Sequence, residues 1–292
     1  DKGGDPYANR DARFYVDILY NGADYGVPYN CSQNYIIETF VGGRNGFNDV
    51  ISQETQRSCT GYYSRKDKYI NYWGPDGGYS KMGVHWVFFR LAEFYLNLAE
   101  AKAELGTLTQ ADLDETVNAI RKRAGVTGTL NINAPVDPWI KGCYPFLAEM
   151  NPSNMGVILE IRRERTVELV MEGHRYWDIM RWKEGKVFDE EFLGMYIPGA
   201  GTLDLDGDGI TEDDPGNPSA GVPTFKIGEN LTLANGAATS GYLTMHSIAG
   251  VNAFKRAWNE DRDYLYPIPT NDRILTNGAL AQNPGWNDGL GL

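Results

Sequence analysis

Three observations predict a mainly α, irregular helical domain with tetratricopeptide-like helix pairs, long loops and a few short strands. Apolar residues recur at steps of three and four over 84–105, 109–124 and 158–186, the spacing that lines one face of a helix. The chain carries 34 glycines and 14 prolines in 292 residues, which predicts long irregular connections between those helices. Strand-like composition is confined to short runs near the start. At 42% hydrophobic residues the chain can bury a core, as one large domain or two small ones.

Residues 1–84 read as strand and loop. The run Phe14-Tyr15-Val16-Asp17-Ile18-Leu19-Tyr20 predicts a short strand, and Asn21-Gly22 a turn after it. Tyrosines then crowd the sequence at Tyr25, Tyr29, Tyr35, Tyr62, Tyr63, Tyr69, Tyr72 and Tyr79, with Trp73 among them. They fill a Gly-rich core short of aliphatic residues, or they form a platform for sugars. Pyranose C–H faces pack on aromatic rings while phenol hydroxyls bond sugar hydroxyls. Trp73, set between Tyr72 and Gly74-Pro75-Asp76-Gly77-Gly78, has little core to join; Trp73, Tyr72, Tyr62 and Tyr63 are the candidate ligand contacts.

From 84 to 105 the period becomes helical, with Val84, Val87, Phe88, Leu91, Tyr95, Leu98 and Ala99 as the apolar stripe and Gly106 as the stop. A second helix runs from Thr109 or Asp112 to Ala124. Thr109 with Asp112 approximates a capping box, and Leu113, Val117, Ile120 and Ala124 form its apolar face. The two read as one αα-hairpin, a single tetratricopeptide-like unit. Residues 125–157 read as a loop with short helical pieces, in which Trp139 and Tyr144 are expected to plug the end of the next helix.

That helix, from 158, mixes Ile158, Ile161, Leu169, Val167 and Val170 with Arg162, Arg163, Glu164, Arg165, Glu168 and Glu172. Charges this dense on a two-sided helix are expected to be paired, because an unpaired buried charge costs several kcal/mol. Arg165 reaches Glu168 at i+3. The constellation is read as an ion-pair network rather than a catalytic or anion-binding site, since it offers no nucleophile or poised base. Gly173 is expected to cap the helix, and Arg175, Tyr176, Trp177, Asp178, Arg181 and Trp182 start a further turn-rich or helical piece.

After Lys186 regular pattern fades until about Gly241. Within it, Asp204, Asp206 and Asp208, then Gly209 and the backbone carbonyl of Ile210, reproduce the first half of a calcium loop. Pro215 stands where the closing Glu belongs, so Glu212, Asp213 or Asp214 substitutes. A structural calcium ion that pins the loop is one reading; a solvated acidic turn is the other. No other cofactor is expected. Residues 249–259 suggest a short helix, 264–269 an extended segment set by Pro267 and Pro269, and Asn283-Pro284-Gly285-Trp286 a closing turn.

Four stretches together resemble the SusD/RagB family of glycan-binding lipoproteins of Bacteroidetes outer membranes. They are Arg10-Asp11-Ala12-Arg13-Phe14, with Ala12 where proline is usual; Arg90-Leu91-Ala92-Glu93 running on to Asn97, Ala99-Glu100-Ala101 and Gly106; Glu164-Arg165, Glu168-Leu169, Glu172-Gly173, Arg175, Asp178 and Arg181-Trp182; and Tyr266-Pro267-Ile268-Pro269 with Asn271 and Gln282-Asn283-Pro284-Gly285-Trp286. They fall in the family's order along nearly the whole chain. The resemblance implies a SusD-like fold in which residues 1–292 form a C-terminal domain, with a repeat-bearing N-terminal half and a lipid-bearing cysteine outside it. It implies a surface-exposed outer-membrane lipoprotein, attached to the membrane only through that lipid anchor.

A net charge of −12 makes nucleic acid an unexpected partner. No run approaches the ~18 apolar residues of a membrane span, and the polar opening DKGGDPYANRD contains no apolar signal-peptide core. Cys31, Cys59 and Cys143 make no metal pattern; whether Cys31 and Cys59 are bridged stays open. His85, His174 and His246 are far apart, and no P-loop, HExxH or nucleophile elbow occurs.

The resemblance therefore implies non-catalytic capture of an oligosaccharide or polysaccharide, and its delivery to a SusC-like TonB-dependent transporter. Two other readings stay open. One is a glycan-active hydrolase, which needs two carboxylates ~5–10 Å apart beside a sugar cleft. The other is a scaffold that contacts only the transporter.

Overall fold

A computed structural model of the chain describes residues 7–27, 32–39, 45, 60–66, 87–190, 193–197, 199, 233, 236–244, 257–277 and 279–287. The chain divides into two compact units: Asp1–Arg90, Arg121–Thr127 and Glu191–Ala253 form the first, and Leu91–Ile120, Gly128–Glu190 and Phe254–Leu292 the second. The described residues are mostly helical with a few short strands, as the sequence predicts.

In the first unit the expected strand over 14–20 is mostly a helix. Helix α1 spans Ala12–Asp17 because Asp11 caps it, accepting from the Arg13 amide at 2.9 Å and pairing with the Arg13 guanidinium at 2.7 Å. That local cap outweighs the aromatic, strand-like composition. Only Ile18–Leu19 is extended, as β1, and it pairs antiparallel with β2, Tyr63–Ser64, setting Leu19 opposite Tyr63. A second ribbon pairs β3, Leu193–Ile197, with β4, Gly241–Thr244. Leu19, Ala23 and Ile37 are buried, and Tyr20, Tyr25, Tyr35 and Tyr63 pack around them. Tyrosine rings supply the volume that aliphatic residues would otherwise fill.

The second unit holds the larger core. Helix α2, Leu91–Glu104, begins later than its sequence pattern suggests, since residues 87–90 are not helical. It buries Leu96, Ala99, Glu100 and Ala103, while Leu91 and Leu98 of the expected stripe are exposed. The buried row thus includes two alanines, and α2 packs along the long helix over Met155–Glu168. Gly106 stops α2 in the left-handed region, at φ 67°.

The expected second helix is two. Helix α3, Gln110–Glu115, starts at a full capping box between Thr109 and Asp112. Hydrogen bonds from Lys102 and Thr109 hold the Asp112 carboxyl down at about 2. The chain breaks at Thr116 and resumes as α4, Val117–Arg123. Leu113, Val117 and Ile120 are buried as predicted.

Two short helices follow, α5 (Pro138–Gly142) and α6 (Pro145–Met150), each with proline in its first turn. Tyr144 plugs the core at 3% exposure, but Trp139 stands 77% exposed, against expectation. The Asp137 cap explains the difference: it fixes the first turn of α5 so that Ile140, not Trp139, faces inward. Helix α7 spans Met155–Glu168, and α8 His174–Arg181. Gly173 does not cap α7, which ends at Leu169; it starts α8 instead, at φ 83°. A 3-10 turn over Gly185–Asp189 and helix α9, Thr270–Leu275, complete the unit. The helix expected over 249–259 is absent at 257–259, and its remainder lies outside the described residues.

Candidate functional site

The charged helix is the first place to look for chemistry. Arg162, Glu164, Arg165 and Glu168 of α7 are all buried. The partners the structure gives Arg165 lie on other elements, not at Glu168 within the helix. Its Nε donates to Asp178 of α8 at 2.6 Å, and its Nη1 donates to Asn97 of α2 at 2.6 Å. Asp178 also accepts from Arg181 Nε at 3.0 Å and Nη2 at 2.8 Å. Arg181 extends the network to Glu100 of α2, which also accepts from the Trp182 indole at 2.6 Å. Burial pushes the Glu100 carboxyl up, but the bonds from Arg181 and Trp182 outweigh it and hold the group below its ordinary range.

Glu184 forms a second knot. Its side chain is fully buried and accepts the Phe146 and Leu147 amides at 2.9 Å each and Arg162 Nη1 at 3.1 Å. Those amides belong to the first turn of α6, which has no side-chain cap of its own. Glu184 therefore caps α6 from a distant part of the chain, and stacks of Arg162 on Trp182 (4.5 Å) and Tyr144 (5.2 Å) close the knot. These carboxylates are consumed by guanidinia, amides and an indole. The arrangement fixes α2, α6, α7 and α8 together.

The aromatic candidates sit elsewhere. Tyr62 and Tyr63 are half-buried in the first unit. Tyr62 meets Tyr7 edge-on at 6.3 Å, and Tyr7 packs at a tilt on Tyr20 at 4.3 Å. Burial pushes the Tyr62 phenol up. Tyr63 donates its hydroxyl to the Asn45 carbonyl at 2.6 Å. Both rings contribute to packing, with part of each surface left accessible. Trp73 and Tyr72 lie outside the described residues, as do Asp204, Asp206, Asp208, Ile210 and Glu212, and Cys31 and Cys59. Among the described residues no group of three metal-binding side chains occurs, and Cys143 is a free thiol.

The second unit carries an aromatic surface that the sequence reading did not single out. On α8, Tyr176 and Trp177 are 36% and 60% exposed, and Tyr266 of the tail is 56% exposed. Tyr176 meets Trp177 edge-on at 5.2 Å, Trp177 lies 6.5 Å from Tyr266, and the Tyr266 hydroxyl donates to that of Tyr176 at 2.7 Å. One sequence signal points there. Trp177 and Trp182 are five residues apart, about 140° around a helix, so both cannot face the core. A separate open cleft of about 560 Å³ lies where the α2–α3 turn, residues 132–136 and the start of α7 meet.

With this geometry in hand, comparison with known proteins places the chain. Residues 2–286 match the family model described as the SusD family, and the chain belongs to that family. Its fold is similar to that of the SusD-like protein BF3747 from Bacteroides fragilis NCTC 9343, at 22% identity and a TM-score of 0.57 over 96% of this chain and 39% of that one. It is also similar to the solved selenomethionine BT4246, at 26% identity and a TM-score of 0.55 over 95% and 38%. This chain thus spans about two fifths of the length of those structures. No curated protein matches it.

Proposed function

We propose that the chain is part of a non-catalytic, surface-exposed outer-membrane lipoprotein that captures a glycan and delivers it to a SusC-like TonB-dependent transporter. The observation that carries the reading is the family match over nearly the whole chain. The chemistry of the described residues agrees with it: Glu100, Asp178 and Glu184 of the second unit are held in ion pairs and a cap, while large aromatic rings stand exposed. A net charge of −12 suits a neutral glycan better than a polyanionic one.

Trp73, with Tyr72, Tyr62 and Tyr63 near it in sequence, remains the proposed ligand contact of the first unit, and a calcium ion held by 204–212 the proposed structural ion. The test is a glycan array probed with the chain, followed by titration of the best ligand against Trp73→Ala. Binding weakened about ten-fold, ~1–2 kcal/mol of lost ring stacking, with little change in melting temperature, supports the reading. Turnover of a bound glycan would overturn it in favour of a hydrolase, and no binding to any glycan would leave the transporter scaffold.

A further inference from the structure

We infer that Trp177, Tyr176 and Tyr266 form a second carbohydrate-stacking surface, on the second unit, that holds a neutral oligosaccharide. The inference rests on the glycan-capture reading above and adds a site to it. Exposure of Trp177 is not forced by a shortage of core. The same stretch buries Trp182 to 5% exposure with its indole N–H on Glu100. Helix α8 spends one tryptophan inside and holds the other out, and a large exposed aromatic patch marks a binding surface.

The surface is rigid from behind. Tyr176 packs on Phe188 at 5.8 Å, Phe188 on Trp258 at 5.2 Å, and Trp258 on Tyr264 at 4.9 Å, a continuous aromatic layer. Tyr266 is fixed through its backbone, because Asn283 donates to its carbonyl at 2.7 Å and the Trp286 indole donates to that of Leu265 at 2.8 Å. Rings held this way lose little freedom on binding.

The geometry favours sugars over a flat apolar partner. Trp177 and Tyr266 are tilted 54° to each other, so no single flat face covers both. Each instead offers a ring to a separate pyranose along a curved chain. Between them, the paired hydroxyls of Tyr176 and Tyr266 keep one outward proton and several lone pairs for sugar hydroxyls. The bond to Tyr266 and partial burial push the Tyr176 phenol up to about 12, so it stays a neutral donor throughout the physiological range.

The test uses the 292-residue chain in native affinity electrophoresis through gels containing an α-glucan, a β-glucan, a β-mannan or a xylan. Four proteins are compared: the parent, Trp177→Ala, Tyr266→Phe and Trp73→Ala. Trp177→Ala is expected to weaken retention by the preferred polysaccharide at least five-fold with an unchanged melting curve. Tyr266→Phe, which keeps the ring and loses the hydroxyl, is expected to weaken it about two- to three-fold. Should Trp177→Ala unfold, Trp177→Phe replaces it, and partial retention is the supporting result. A parent retained by a polysaccharide and matched by both Trp177→Ala and Tyr266→Phe overturns this site and leaves glycan capture standing. A parent retained by none of the four overturns both. Trp177-dependent self-association in sedimentation velocity, without polysaccharide, reassigns the surface to a protein partner and also overturns the proposal.

Discussion

Replacing Glu184 with alanine removes three interactions at once and is expected to be among the most damaging single changes in the second unit. The carboxylate is fully buried, and it holds two backbone amides of α6 at 2.9 Å and the Arg162 guanidinium at 3.1 Å. Breaking a buried ion pair from one side costs about 3–5 kcal/mol, because the other charge stays behind. Arg162 is 4% exposed, its Nε lacks a partner among the described residues, and its other carboxylate, Glu104, is 3.6 Å away and exposed. It therefore has no good second acceptor. Each bared amide adds up to about 1–3 kcal/mol, non-additively.

The expected loss is about 4–5 kcal/mol, read as a shift of the urea midpoint at constant slope, followed by Trp fluorescence. Trp182 is one of its reporters, since Arg162 stacks on its ring. Glu184→Gln retains one acceptor oxygen and should lose only about 1.5–3 kcal/mol. In the double variant Arg162→Met, Glu184→Gln the stranded charge is gone, so the loss should be smaller than the sum of the single losses. A Glu184→Ala protein within ~1 kcal/mol of the parent would refute the reasoning, and would mean that water or another group satisfies Arg162 and α6.

Further expectations concern single contacts and solution conditions. Gly156→Ala puts a Cβ 1.9 Å from the Ala134 carbonyl oxygen, a clash with backbone that cannot step aside, so α7 or residues 132–136 must shift; a melting temperature within 1–2 °C of the parent, against an expected loss of ~2–3 kcal/mol, would contradict the packing. The Glu100 carboxyl has a folded pKa below its ordinary 4.5, so its contribution is fully present above about pH 4.5 and is lost as pH falls through the lower folded value. A thermal scan from pH 7 to 3 should be flat above about pH 5 and fall below it, and Glu100→Gln should start lower and fall less. Chelation should lower the melting temperature and expose residues 204–212 to protease, with Asp206→Ala acting alike; identical curves in calcium and in chelator would leave only a solvated acidic turn.

Much of the fold is local and therefore visible in the residues. The Thr109–Asp112 box and the Gly106 stop depend on groups within four positions of one another, and each stands where the sequence puts it. The density of charge on α7 likewise predicts that its buried arginines are paired, since burial leaves them no alternative. The partners of Arg165 and Arg162 are another matter. Asp178, Asn97 and Glu184 lie 13, 68 and 22 positions away, and no helical spacing rule reaches them.

The stretches where the structure departs from the sequence pattern have the same cause. Residues 14–20 look like a strand by composition, but the Asp11 cap, one residue before α1, turns most of them into a helix. The stripe of α2 passes through its largest apolar residues, yet the apolar residues it buries are Leu96, Ala99 and Ala103. Sequence by itself determined the class, the family and local devices such as the Thr109–Asp112 box and the Gly106 stop, because those follow from near neighbours and from motifs read in order. Only the tertiary structure decided which side of each helix is buried, which acid answers which arginine, and that Trp177 is held out while Trp182 is buried. Those choices turn on how chain-distant surfaces fit together, and burial free energy is set by that fit rather than by any residue's own preference.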